Sequence, residues 1–469
     1  MADPNRNIII ILNEDHGQWA LSSYGNRDVN TPTLDYLART GVQMENAFTP
    51  IPVCSPSRAC LLTGRYPSQH GMHDYLANQD DEVENNPWLE NEIFLSQLLS
   101  NAGYQVALSG KWHLSNDHLP QAGFEYWFTH SHHYPIEHGG PHIYSDQGDF
   151  ITLTGYKTQI LTDRAISFLR ERNPKQPFFL LLSNTASHAP WNRHPERLVD
   201  QYRHQTFESI SDDVAYPFGK QNLESTFDTR LQPQEAQAQY YAAASQIDEA
   251  TGRVMDELEA NGLRESTLLI FTSDHGLNCG QHGMWGKGNA TFPYNMVDES
   301  IRIPLIFNKP GYLYQGQRRN EYVDHCDVFQ TLVDYAGLEL PERGENYYPG
   351  LSFLPILNNS GSLEGGDWRN YQICEYGDLR MLRTETHKLI LRYHEEGANE
   401  LFDIKKDCRE TVNIYNEKEM QPLVESLTLK MNNFFARYED PVKSGLNVKQ
   451  LPRHNKTESW RPVDPSARF

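Results

Sequence analysis

Four short apolar runs, each ending in a cluster of polar and charged residues, constrain this chain of 469 residues more than any other feature. Asn7 to Leu12 leads into Asn13-Glu14-Asp15-His16-Gly17, and Tyr104 to Leu108 into Ser109-Gly110-Lys111-Trp112-His113. Phe178 to Ser183 leads into Asn184 through Trp191, and Thr267 to Thr272 into Ser273-Asp274-His275-Gly276. Unbroken apolar runs of this kind predict parallel strands covered on both faces. Open α/β sheets gather ligands at the carboxyl ends of such strands, so the clusters predict a common site.

The intervening segments read as helices. Thr31 to Gly41 has an N-cap threonine, proline at the first position and a glycine stop. Further helices are expected over Glu92 to Ala102, Lys157 to Arg172, Glu235 to Asn261 and Asp324 to Ala336, and an additional strand over Ile301 to Ile306. The pattern changes after Asn358 to Gly366, a Gly, Asn and Ser-rich linker. Beyond it, short strands near Tyr371, Met381, His387 and Glu400 and a helix over Lys418 to Tyr438 predict an antiparallel sheet with one helix. The expected fold is therefore α/β: a large, mixed but mostly parallel sheet sandwiched by helices, over residues 1–360. A smaller antiparallel α+β domain would span 361–441 and a tail 442–469. Leu451-Pro452-Arg453 and Trp460-Arg461-Pro462 offer a surface for a second copy in a homo-oligomer, or a tail wrapped on its own chain.

Two stretches read as irregular. Tyr126 to Phe150, with His130, His132, His133, His138 and His142, is expected to loop over the pocket, its histidines facing substrate or solvent rather than a second metal. His204 to Gln232 is polar and reads as an excursion.

A formal net charge of −21 argues against nucleic acid and against an anionic membrane surface, and requires a local basic pocket for any anionic substrate. The first apolar run is about five residues long with no basic region ahead of it, short of the roughly 7 to 15 of a signal-peptide core, so the expectation is cytoplasmic. The six cysteines have no paired spacing for zinc or redox work.

The most specific motif is Val53 to Arg65, VCSPSRACLLTGR. Ser55-Pro56-Ser57 reads as a helix start and Gly64 as its stop, which sets Cys54 at the positive end of a short helix. Cys54 alone reads equally well as a buried structural cysteine. With Pro56, Arg58 and Thr63-Gly64-Arg65 in register, the stretch resembles the signature of the type I, formylglycine-dependent sulfatases of the alkaline phosphatase superfamily. Gly110-Lys111-Trp112-His113, His188-Ala189-Pro190, Gly286-Lys287-Gly288 and Ile301 to Ile306 resemble further family motifs, so the likeness runs from Asn7 to about Tyr438.

That resemblance implies a sulfatase acting on a small sulfate ester, with Cys54 oxidised to Cα-formylglycine by a formylglycine-generating maturation enzyme. A hydrated aldehyde offers one hydroxyl to attack sulfur and a second to expel sulfate, an exit that a thiolate lacks. It also implies that Glu14, Asp15, Asp274 and His275, with an oxygen of modified Cys54, bind one divalent metal. Oxygen ligands suit calcium first, with magnesium as an alternative, and the imidazole of His275 tilts toward manganese. Arg58 would orient the hydrate, Lys111 and Lys287 would grip sulfuryl oxygens, His113 would take the proton from the second hydroxyl, and His188 would serve the leaving group. Asp274-His275 stands where the family pattern has aspartate-asparagine, which makes a phosphonate monoester or phosphodiester hydrolase the alternative. A non-catalytic sulfoconjugate-binding protein that keeps the Cys54 thiol is the alternative of another class.

Overall fold

The structure, a computed structural model, describes residues 6–77, 83, 86–130, 137–210, 232–344, 347–358, 368–393 and 397–461, and the backbone of 220–221. His132, His133, most of the His204 to Gln232 stretch, nearly all of the linker and the end of the tail lie outside the described residues.

A ten-stranded mixed sheet forms the centre. Its parallel core has, side by side, Thr267–Ser273, Asn7–Asn13, Phe178–Asn184, Gln105–Gly110 and Tyr126–His130. Leu305–Asn308 continues the sheet antiparallel at one side, followed by Val42–Phe48 and Gln317–Asp324. The hairpin Gly139–Asp146 and Asp149–Tyr156 closes the other side.

The first run shows why it is apolar throughout. Ile8, Ile10 and Leu12 enter one core cluster with residues of the helices Leu95–Asn101 and His325–Tyr335. Ile9 and Ile11 enter a second cluster with residues of Pro32–Thr40, Lys157–Glu171 and Pro233–Ala260. Alternate side chains of one strand thus fill opposite layers, and no position is left for a polar residue.

A separate four-stranded antiparallel sheet, Tyr371–Tyr376, Leu379–Thr384, His387–Arg392 and Glu400–Asp403, packs with the helix Gln421–Tyr438 around its own core cluster. The described tail residues lie on their own chain. Trp460 is buried against Tyr294 and Tyr376, and the His454 carbonyl accepts from Ala77 N at 2.9 Å. The surface that Trp460 offered to a second copy is therefore already covered. No helix of the described residues is long and apolar enough to cross a membrane.

Several local expectations need correction. Tyr126 to Phe150 contains two strands and the start of a third; in the second, His142 and Tyr144 turn inward on either side of half-buried Ile143, so a histidine takes a buried place that an apolar pattern would not mark. Thr31 precedes its helix without capping it, since its hydroxyl pairs with Ser22 Oγ at 2.5 Å. Ile301 closes a helical turn, and the strand begins only at Leu305.

Candidate active site

The register of the parallel core brings the polar clusters together. Asn13 aligns with Ser273 on one side and Asn184 on the other, and Gly110 aligns with Ser183, so four strands end at one level. A Cβ at Gly110 would meet the Ser183 carbonyl at 1.9 Å, and its φ is +125°. Glycine is what lets the strand carrying Lys111 lie this close to its neighbour.

Cys54 begins the helix Cys54–Thr63 and is 2% exposed. The helix ends at Gly64, φ +68°, where a side chain would strike Phe329 at 2.4 Å. Cys54 Sγ lies 2.9 Å from Lys287 Nζ, 3.3 Å from Glu14 Oε1 and 3.5 Å from His275 Nε2. Lys287 Nζ also donates to Asp15 Oδ1 at 2.7 Å, and Lys111 pairs with Glu14. Arg58 meets Asp274 Oδ2 through Nε at 3.1 Å and Nη2 at 3.0 Å, and its Nη1 donates to Ser183 Oγ and the Lys111 carbonyl. His188 Nε2 stands 3.7 Å from Glu14 Oε1.

Among the described residues, Glu14, Asp15, Cys54 and His188 form one group able to hold a cation, and Cys54, Asp274 and His275 a second that shares Cys54. The donor chemistry fits a divalent ion. His275 Nδ1 lies 2.9 Å from the Gly276 carbonyl, which fixes the proton there and turns the Nε2 lone pair toward Asp15, Asp274 and Cys54. Burial also lowers the pKa of His275, which favours the neutral, ligating ring.

Charge is balanced inside the cluster. Burial alone would raise Glu14, but Lys111, His188, Arg58 and Lys287 outweigh it and hold the carboxyl well below the usual range. Asp15 is likewise lowered against burial, chiefly by Lys287. Three carboxylates, Glu14, Asp15 and Asp274, face three cations, Arg58, Lys111 and Lys287. A divalent ion added to this neutral set makes the pocket strongly positive, which is what a protein of charge −21 needs to hold an anion. The Cys54 thiol is pushed up to about 12 by burial, in spite of Lys287 and Lys111. At neutral pH it is a thiol, and a poor nucleophile.

His113 is linked to the Cys54 helix indirectly, through Leu76. Its backbone is left-handed, φ 61°, and its Nε2 lies 2.9 Å from the Leu76 carbonyl. Leu76 N is in turn bonded to Ser55 Oγ, next to Cys54.

The sequence did not single out the groups that hold this cluster. Tyr240, from the long helix, donates to the Asp15 carbonyl at 2.9 Å and accepts from Gly17 N at 3.0 Å. Ser57 Oγ donates to the Asp274 carbonyl and lies 3.2 Å from His325 Nδ1, while His325 Nε2 bonds to Ser273 O at 3.0 Å. Nothing in a periodic helix marks Tyr240. Nor does anything mark His325, which follows the capping Asp324 in a helix that carries several other polar residues, Asp327, Gln330 and Asp334 among them.

Comparison with known proteins agrees with this geometry. A family model described as Sulfatase matches residues 6–338, and one described as N-sulphoglucosamine sulphohydrolase, C-terminal, matches 280–437. The chain belongs to the sulfatase family. An N-acetylglucosamine-6-O-sulfatase of Bacteroides thetaiotaomicron is 28% identical to this sulfatase, over 92% of this chain and 87% of its own. An arylsulfatase of Clostridium perfringens is 26% identical, over 90% and 92%. A protein solved in complex with its substrate D-glucosamine-2-N,6-O-disulfate superposes with a TM-score of 0.78 at 26% identity, over 92% of this chain and 98% of that one. The phosphonate monoester hydrolase of Agrobacterium radiobacter shares the fold, with a TM-score of 0.72 at 21% identity, over 92% and 95%. The sulfatase hydrolyses sulfate esters, and its sheets and helices have the alkaline-phosphatase-like arrangement.

Proposed function

We propose that this sulfatase removes a sulfate ester from a sulfated amino sugar, using Cys54 matured to Cα-formylglycine beside one divalent cation, calcium first and manganese as its rival. The observation that carries this reading is the convergence on Cys54 of Glu14, Lys287 and His275 from three distant parts of the chain. The sugar class comes from the relatives, of which one is an N-acetylglucosamine-6-O-sulfatase and another was solved with a 6-O-sulfated glucosamine.

In this reading Glu14, Asp15, Asp274 and His275 hold the cation, which supplies positive charge against the nucleophile and the substrate oxygens. Matured Cys54 supplies the attacking hydroxyl that a thiol of high pKa does not. Arg58, fixed by Asp274, Ser183 and the Lys111 carbonyl, keeps the start of the helix in place. Lys111 and Lys287 bind sulfuryl oxygens, His188 gives a proton to the departing oxygen, and His113 takes one from the second hydroxyl. Turnover of a 6-O-sulfated N-acetylglucosamine by wild type and Cys54→Ala tests it. The reading expects activity in the first and none in the second, and near-equal rates would refute it.

The presentation of His275 Nε2 beside Cys54 favours one second reading, a hydrolase of phosphonate monoesters or phosphodiesters at the same site. Rates on an aryl sulfate and an aryl phosphonate monoester, measured on one preparation, separate the two. A preference for phosphorus would select the second.

A further inference from the structure

The Lys287 ammonium is supported from outside the large domain. Residues 287–299 form a loop over the start of the Cys54 helix, with Gly288 N bonded to the Pro52 carbonyl at 3.2 Å. A Cβ at Gly288 would meet Pro52 at 2.6 Å, so the loop lies directly on the segment that leads into Cys54. The loop has no regular structure long enough to hold itself. Its internal hub is Asn295, fully buried, whose Nδ2 donates to the carbonyls of Lys287 at 3.0 Å and Gly288 at 3.1 Å. Asn295 N adds a bond to Gly288 O at 2.9 Å, and its Oδ1 accepts from Ser300 Oγ at 2.9 Å.

The residue after this hub is gripped by the small domain. Lys388, on the strand His387–Arg392, is fully buried, and its Nζ donates to the Met296 carbonyl at 2.8 Å. The same ammonium pairs with Asp298 Oδ1 at 2.7 Å and Glu410 Oε1 at 2.5 Å. Asp298 is held in turn by Arg383, with Nη2 at 2.7 Å, and its backbone N–H donates to Glu410 Oε2 at 2.8 Å. A buried lysine with three such acceptors is fixed in one place, and breaking a buried pair of this kind leaves uncompensated charge. Nothing in the sulfatase reaction requires a charged side chain at this depth in the small sheet.

We infer that Lys388 is a positioning residue for Lys287: through the Met296 carbonyl and Asn295 it sets where the Lys287 ammonium stands beside Cys54. The small domain is then part of the sulfate-binding apparatus. This inference rests on the proposed role of Lys287 as a ligand of the sulfuryl oxygens.

A pair of double-mutant cycles tests it, with Lys388→Met and Asn295→Ala each made in the full-length wild type and in Lys287→Ala. The readouts are kcat and KM on an aryl sulfate, the inhibition constant of inorganic sulfate, and the thermal midpoint. Displacing a charged ligand should lower kcat/KM by about tenfold or more in the wild-type background and weaken sulfate inhibition in parallel. In the Lys287→Ala background the same changes should cost less than about twofold, because the group they position is gone. Equal losses in both backgrounds, or folded Lys388→Met and Asn295→Ala proteins with full activity, would overturn the inference. If Lys388→Met does not fold, the Asn295→Ala cycle decides by the same criteria. Full activity in Lys287→Ala itself would instead remove the role of Lys287 in the proposed function, and the inference with it.

Discussion

Lys287 Nζ lies 2.7 Å from Asp15 Oδ1, a lysine occupying a carboxylate that faces a group of metal-binding geometry. The ion pair is buried on both sides, with side chains 11% and 4% exposed. A divalent cation bound by Glu14, Asp15, Asp274 and His275 would compete with this lysine and with Lys111 for the same oxygens. Protein stripped with a chelator is therefore expected to lose activity and to regain it with calcium or manganese. At about 100-fold excess over the dissociation constant, the ion should also add about 2.7 kcal/mol of stability, read as a rise in Tm. Asp274→Asn should abolish most of that rise.

Arg58 and Asp274 predict a stability effect separate from catalysis. Arg58 is 1% exposed and its guanidinium meets Asp274 at two points. Arg58→Met would leave Asp274 buried without its partner, at a cost of about 3–5 kcal/mol in urea unfolding. Arg58→Lys should recover only part, because one ammonium cannot replace contacts to Asp274, Ser183 and the Lys111 carbonyl together.

How far this was legible beforehand follows from the same residues. Glu14, Asp15, Lys111 and Asp274 could be found because an unbroken apolar run stops abruptly at a charge, and the sheet register then forces those stops to one level. Lys287, on a loop between glycines, was marked only by the resemblance of Gly286-Lys287-Gly288 to a family motif. The hairpin strand Asp149–Tyr156 was hidden because it lies at the sheet edge with no apolar run, although Ile151 and Leu153 alternate with Thr152 and Thr154 at the strand period. Tyr240, His325 and Asn295 could not be found from local pattern. Each acts through a backbone carbonyl, and Tyr240 and His325 reach theirs 225 and 52 residues away, contacts that only the folded topology creates.

His188 sits at the mouth of the cluster, its side chain 34% exposed, with Nε2 toward Glu14. A proton donor matters most when the departing oxygen is basic. His188→Ala should therefore slow a sugar or alkyl sulfate by about 10²-fold or more and an activated aryl sulfate much less. Rates across a series of aryl sulfates would check this as a steeper dependence on leaving-group pKa in the variant.

Glu375 gives a pH prediction. It is fully buried, and burial pushes its carboxyl up to about 7, in spite of Arg380 and the hydrogen bonds from Ser68. The folded state then holds a proton that the unfolded chain has lost, so this group removes stability as pH rises from about 4.5 to about 7 and nothing further above that. Glu375→Gln keeps partners for Ser68 without the titration. Its stability relative to wild type should rise between pH 5 and pH 8, by an amount on the order of 3 kcal/mol, in urea unfolding at each pH. A difference independent of pH would contradict the assignment.

The most direct measurement is the mass of the peptide containing Cys54, taken from active enzyme made in a host that carries the maturation system. The account predicts an aldehyde in place of the thiol-bearing side chain, in a fraction that tracks specific activity between preparations. Full activity in protein whose Cys54 peptide carries only the unmodified thiol would contradict it.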